Sequence, residues 1–125
     1  MNFDDLDEET RKEIEELEKV TEEKDGIKLF VAAQATLGKL LLDNNLNKSA
    51  IEIYSKIQRS YDSKLYAAAQ YTIAEILAND GDTGKALTYF KNIKHLDDPK
   101  IYAAAQLTPA VKSVQLNLGD FSYAA

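Results

Sequence analysis

Three segments of the chain echo one another without gaps at a fixed interval of 36 residues: GIKLFVAAQAT (26–36), DSKLYAAAQYT (62–72) and DPKIYAAAQLT (98–108). Lys28, Lys64 and Lys100 align, as do Phe30, Tyr66 and Tyr102. So do Ala33, Ala69 and Ala105, then Gln34, Gln70 and Gln106, and finally Thr36, Thr72 and Thr108. The stretches that follow also align, KSAIEIYSKIQ (48–58) over GKALTYFKNIK (84–94). Self-similarity at a period of this size is the mark of a repeat array, in which each small unit buries its apolar face only by stacking on its neighbours.

Within a unit the apolar residues follow helical spacing, and no segment alternates with the period of a strand. The first unit predicts one helix from about Lys28 to Asp43, with Leu29, Ala33, Leu37, Leu40 and Leu41 inward. Asn44 and Asn45 break it, because Asn favours turns. A second helix runs from about Lys48 to Ser60, with Ala50, Ile53, Tyr54 and Ile57 inward. In the next unit Asp62 serves as N-cap, and Leu65, Ala69, Ile73, Ile76 and Leu77 carry one face. Asn79-Asp80-Gly81-Asp82 is a turn signal, after which Ala86, Tyr89, Phe90 and Ile93 face inward. Asp98-Pro99 reads as an N-cap followed by proline at the first helical position, where its missing N–H costs nothing. Pro109 falls inside the helix that follows and predicts a kink or a restart. The expected architecture is all-α: an α-solenoid of helix–turn–helix repeats covering 26–125, divided 26–61, 62–97 and a partial 98–125. Runs of small residues at 31–33, 67–69 and 103–105 suit close approach of neighbouring helix backbones.

Residues 1–25 differ in character. They hold 12 acidic and 4 basic side chains, net −8, whereas 26–125 hold 9 and 11, net +2. The segment has no Gly or Pro, and Phe3, Leu6, Ile14, Leu17 and Val20 fall roughly on one side of a helix. A helix from about Asp7 to Lys24 is expected. Two readings remain open: a solvated helix docked weakly on the body, or an acidic arm for a basic partner or for the body's own lysines.

The repeats resemble the tetratricopeptide repeat (TPR) family, whose helix–turn–helix unit has a period of about 34 residues. Leu37-Gly38 fits the paired Leu-Gly of the family's first helix, and Ala50, Tyr54 and Ile57 fit the positions of its second. Ile73-Ala74, Leu77, Gly81-Asp82, Ala86, Phe90 and Ile93 take the corresponding places in the next repeat. Gln34 and Gln70 stand where the family usually has a large hydrophobe, and the period is two residues longer. The overall pattern is also similar to bacterial YfgM-type TPR-like domains, which sit beyond a single membrane anchor and assist translocated proteins.

Chemistry is scarce. The formal charge of −6 lacks the basic surplus of a nucleic-acid-binding face. With no cysteine there is no disulfide framework, zinc knuckle or thiol nucleophile. The only histidine, His95, lies near a helix end and reads as a surface residue. Asp80-Gly81-Asp82 lacks the ligand pattern of a calcium loop. Gly81-Asp-Thr-Gly84-Lys85 has neither the spacing nor the preceding strand of a phosphate loop. No acid–base pair or nucleophile with its base is present. The expectation is a non-enzyme with no catalytic residues, metal or cofactor.

The resemblance implies that function lies on a concave groove lined by the first helices. The groove positions are then Thr36 and Lys39 from repeat one, Tyr71, Thr72 and Glu75 from repeat two, and Leu107 and Thr108 from repeat three, with Ala32, Ala35, Ala68 and Ala104 between them. The Lys/Asn/Arg clamp by which chaperone-tail adaptors of the family grip a terminal carboxylate is absent. An Ala/Thr/Tyr groove suits an extended peptide or an apolar helix held by packing. The expected role is a protein-interaction module or scaffold, part of a larger bacterial protein or assembly. The alternative is a chaperone or immunity-type binder that sequesters one partner through the acidic segment. Neither an export signal nor a run of about 20 apolar residues is present, so the chain as written predicts a cytoplasmic protein. The third repeat stops before a second helix is complete, at Gly119-Asp120-Phe121. That predicts either a fragment, with a periplasmic or membrane-anchored context, or self-association through the C-terminal end.

Overall fold

A computed structural model describes residues 3–114, and every regular element over that span is a helix. A short 3-10 turn, Phe3–Asp5, precedes α1 (Glu8–Glu18), α2 (Glu22–Asp25), α3 (Ile27–Asp43), α4 (Asn47–Tyr54), α5 (Ser63–Asn79), α6 (Thr83–Asn92) and α7 (Pro99–Gln106). Residues 109–114 are helical again. The principal packing pairs are α3 with α4 and α5 with α6, joined by α1 and α2 on α3, α4 on α5, α3 on α5 and α5 on α7. All of them join elements no more than two places apart in the chain.

The 36-residue interval reappears as geometry. Gly26, Asp62 and Asp98 are the N-caps of α3, α5 and α7, and both aspartates accept bonds from backbone N–H groups of the first turn. Asn45 and Gly81 both sit at positive φ, 61° and 87°, just beyond α3 and α5. There Leu46 N–H donates to the Leu41 carbonyl and Asp82 N–H to that of Leu77, each at 2.9 Å. These are the six-to-one bonds of a Schellman ending, which needs a residue that tolerates the left-handed region. The same helix stop is thus built twice, once with Asn and once with Gly.

Burial shows which predicted inward faces are covered. Ala33, Leu37, Leu41, Ala50, Tyr54, Ile57, Ala69, Ile73, Ile76, Ala86, Phe90 and Ile93 are buried. Leu29 is not; more than half of it is exposed. Its counterpart on α7, Ile101, shares a cleft wall with residues of α5. α4 ends at Tyr54 rather than Ser60, with Ser55 Oγ donating to the Ile51 carbonyl at 2.6 Å. The expected helix 7–24 is two helices. Thr21 is extended, at φ −125° and ψ 153°, and its hydroxyl accepts from the Lys24 N–H to start α2. α1 docks on α3 through buried Ile14, with Leu6 buried beside it. Ile14, Ala50 and Ala86, each buried, are again 36 residues apart. α7 stops at Gln106, since Pro109 would clash with the Ala105 carbonyl and offer no N–H. The predicted turn at Gly119-Asp120-Phe121 and the C-terminal end lie outside the described residues.

One glycine is needed for its size. A Cβ on Gly38 would stand 2.7 Å from the Tyr54 ring, whereas one on Gly84 would meet nothing within 4 Å. Gly38→Ala is therefore expected to destabilise the fold by about 1–3 kcal/mol through overpacking, partly offset by helix propensity. Gly84→Ala should stabilise by about 0.5–1 kcal/mol. Urea unfolding of the two variants beside the parent checks both signs.

The corner before α7 is held by charge. Arg59, from the α4–α5 connection, donates through Nε and Nη2 to the two carboxylate oxygens of Asp97 at 2.8 and 3.1 Å, and through Nη2 to the Asn92 carbonyl at 2.6 Å. Its guanidinium also lies 4.6 Å from the Tyr66 ring centre. Asp97 is 4% exposed and accepts from the Lys94 N–H at 2.9 Å. Burial alone would push its carboxyl up; the Arg59 guanidinium and the Lys94 N–H outweigh burial and hold it below the usual carboxylate range. A group depressed on folding contributes fully above its unfolded pKa, about 3.9, and loses that contribution as pH falls through the folded value. Asp97→Asn is expected to cost about 2 kcal/mol at neutral pH. The gap from the parent should close as urea titrations are stepped below pH ~4.

Candidate interaction groove

The groove is built on one stripe of α5. Ala68, Tyr71, Thr72, Glu75, Ala78 and Asn79 recur at helical spacing and so share a face. This stripe lines two clefts. The first, about 250 Å³, lies between α5 and α7, with Ala68, Tyr71 and Thr72 on one wall and Ile101 and Ala104 on the other. The second, about 490 Å³, holds Glu75, Ala78 and Asn79 on the α5 side and Thr108, Pro109 and Ala110 opposite. The kink that Pro109 forces supplies part of that second wall.

Tyr71 is half-buried, its ring edge-on to Phe90 with centroids 5.4 Å apart. Burial, and then the nearby Glu75 carboxylate, raise the pKa of its hydroxyl, so it stays protonated and able to donate. The threonines donate elsewhere. Thr72 Oγ gives its proton to the Ala68 carbonyl at 2.9 Å and Thr108 Oγ to that of Ala105 at 2.7 Å. Glu75 is exposed and makes no ion pair among the described residues.

Of the groove positions expected from sequence, Tyr71 and Thr72 line the first cleft, and Glu75 and Thr108 the second. Thr36 and Lys39 hold the same register one repeat earlier on α3 and line neither cleft. Thr36 Oγ donates to the Ala32 carbonyl at 3.0 Å, and Lys39 pairs with Asp43 at 3.2 Å. Leu107 caps the end of α7 and is mostly exposed. Sequence reasoning missed Ala78, Asn79 and Phe90 as lining residues. The first two continue the stripe by a further turn, so the 3.6-residue period carried past Glu75 would have found them.

Beside the groove, the two aligned glutamines differ. Both are buried, Gln34 at 4% exposed and Gln70 at 5%. Gln70 Oε1 accepts from Asn92 Nδ2 at 2.9 Å, whereas Gln34 Oε1 has no partner. The residue that aligns with Asn92 is Lys56, whose side chain lines a separate cleft of about 230 Å³ that Gln34 also borders.

Among the described residues no group of three His, Asp or Glu side chains is placed to hold a metal ion, and no helix is long and apolar enough to cross a membrane. His95 is exposed, its ring edge-on to Tyr102 at 5.6 Å. Comparison of the chain with protein-family models, curated proteins and solved structures finds no match.

An orphaned buried carbonyl costs about 1–3 kcal/mol, while replacing it by an apolar group of similar shape removes that cost. Gln34→Met is therefore expected to stabilise the protein and Gln70→Met, which strands Asn92, to destabilise it by about 1 kcal/mol. Thermal unfolding of the pair should shift in opposite directions.

Proposed function

We propose that this chain is a divergent TPR-like solenoid whose α5–α7 groove binds a protein segment, and that it acts as a non-catalytic interaction module within a larger protein or assembly. On this reading α1 stands in for the second helix of a preceding repeat and caps the N-terminal end with a polar outer face, as repeat arrays require. The observation that carries the reading is the α5 stripe: half-buried Tyr71 and Thr72, small Ala68 and exposed Glu75 line two adjoining clefts and have no role in closing the core beyond Tyr71's edge on Phe90. Apolar concave surface with a few placed polar groups is the usual form of a binding groove. Among the described residues, the side chains lining these clefts include no nucleophile with its base and no carboxylate pair, which favours binding over catalysis.

A second reading rests on one feature. Glu8, Glu9, Glu13, Glu15 and Glu16 leave α1 as an exposed acidic surface that could draw in a basic partner and sequester it.

Affinity capture separates the two. Thr72→Arg places a bulky cation at the first cleft, and Glu9→Lys with Glu15→Lys erodes the acidic face without touching Ile14. If the groove binds, Thr72→Arg should lose the partner recovered by the parent chain while the α1 variant keeps it. Loss confined to the α1 variant, together with steep salt dependence, would establish the acidic reading instead.

A further inference from the structure

The hydrogen-bonding inventory of the groove says more about its occupant than its shape does. An extended peptide brings one N–H and one C=O per residue, and each needs a partner once buried. The walls of the first cleft are stretches of α5 and α7 whose backbone groups are bonded within the helix or by its cap, so partners there must come from side chains; Asn79, Thr83, Ser113 and the helix start at 109–114 border only the second cleft. The Thr72 and Thr108 hydroxyl protons are committed to the Ala68 and Ala105 carbonyls. Much of the remaining lining of the first cleft is Ala68, Ile101 and Ala104. There Tyr71 is left as the free donor, too little for a strand-like ligand. A helix arrives with its backbone bonds made internally and needs only apolar contact. The alanines allow it to approach closely.

Charge narrows the occupant further. Among the described residues Glu75 is the one formally charged side chain lining either cleft, and it faces no cation there. The Tyr71 hydroxyl, close enough to feel that carboxylate, stands one turn away. An acidic segment would be repelled and an uncharged one would leave the carboxylate to be covered without compensation.

Taking the groove reading above as its basis, we propose that the α5–α7 groove takes an amphipathic helix of a partner protein whose apolar ridge carries one Lys or Arg, seated against Glu75 and Tyr71.

A displayed library of random linear peptides of about 16 residues, selected on the full chain, tests this. The winners should lack internal Pro, repeat apolar residues at i, i+3, i+4 and i+7, and share one cation at a fixed register. Their affinity, read by fluorescence anisotropy, should fall about fivefold on Glu75→Gln and about tenfold on Glu75→Lys. Replacing the peptide's cation by Glu should restore binding to Glu75→Lys. Glu75 is exposed, so these variants are expected to fold, and circular dichroism checks that they do. Winners that need Tyr71 but show no cation and ignore Glu75 would overturn this inference and leave the groove reading standing. Winners indifferent to Tyr71→Ala and Thr72→Arg would overturn the groove reading. Extended, Pro-rich winners, or no winners at all, would overturn the helical ligand.

Discussion

Helix α5 is buried on two faces at once, and the packing of the chain is organised around it. Ala69 and Ile73 belong to the core formed with α3 and α4, while Ala67 and Ala74 belong to the core formed with α6 and α7. A helix can serve two cores only if its neighbours approach closely on both sides, which is why its buried surface is so rich in alanine. Hydrophobic burial is roughly proportional to area removed from water, so small side chains gain little individually. Their contribution is to let larger ones, Leu37 and Ile57 on one side and Phe90 and Ile93 on the other, close over them. Neither core would be complete without this shared wall.

The corners between helix pairs are held by polar contacts, and they too recur. Arg59 reaches Asp97 across 38 residues, and the Tyr61 hydroxyl donates to Glu22 across 39. In the first case residues of two successive connections meet; in the second a residue of the α4–α5 connection reaches back to the first residue of α2. Arg59 against Tyr66 and His95 against Tyr102 are likewise one interval apart. A buried carboxylate such as Asp97 is tolerated because several donors converge on it, and each donor has a fixed direction. Apolar contact sets how close the helices lie, and these bonds add directional ties at the turns.

The stripe that remains on α5 after two faces are committed is the proposed binding surface. Glu75 is the one formally charged residue of that stripe. Thr72 on α5 and Thr108 in the break after α7 both turn their hydroxyl protons back to the backbone. Tyr71 is shared, with one edge on Phe90 and its hydroxyl near Glu75. The proposed groove therefore borrows rigidity from the core beneath it, and a ligand would find its contacts already oriented.

Much of this was legible in the residue order. The 36-residue echo placed α3, α5 and α7, their N-caps at Asp62 and Asp98, and the turns at Asn44-Asn45 and Gly81-Asp82, because helix starts and stops depend on local backbone chemistry. The break at Pro109 was legible for the same reason. Other features depended on what lies across from a residue, which local pattern does not encode. Leu29 reads as core by spacing yet lies exposed. Gln34 and Gln70 align perfectly, but only packing decided that one accepts from Asn92 and that the Oε1 of the other is left without a partner. Arg59 and Asp97 look like ordinary surface charges 38 residues apart, and their pairing exists because two turns stack. Local sequence determined where α3, α5 and α7 begin and where α3 and α5 end, though not the early end of α4 at Tyr54 or the break between α1 and α2; contact between neighbours, which sums over residues far apart in the chain, decided which faces are covered and which are left open.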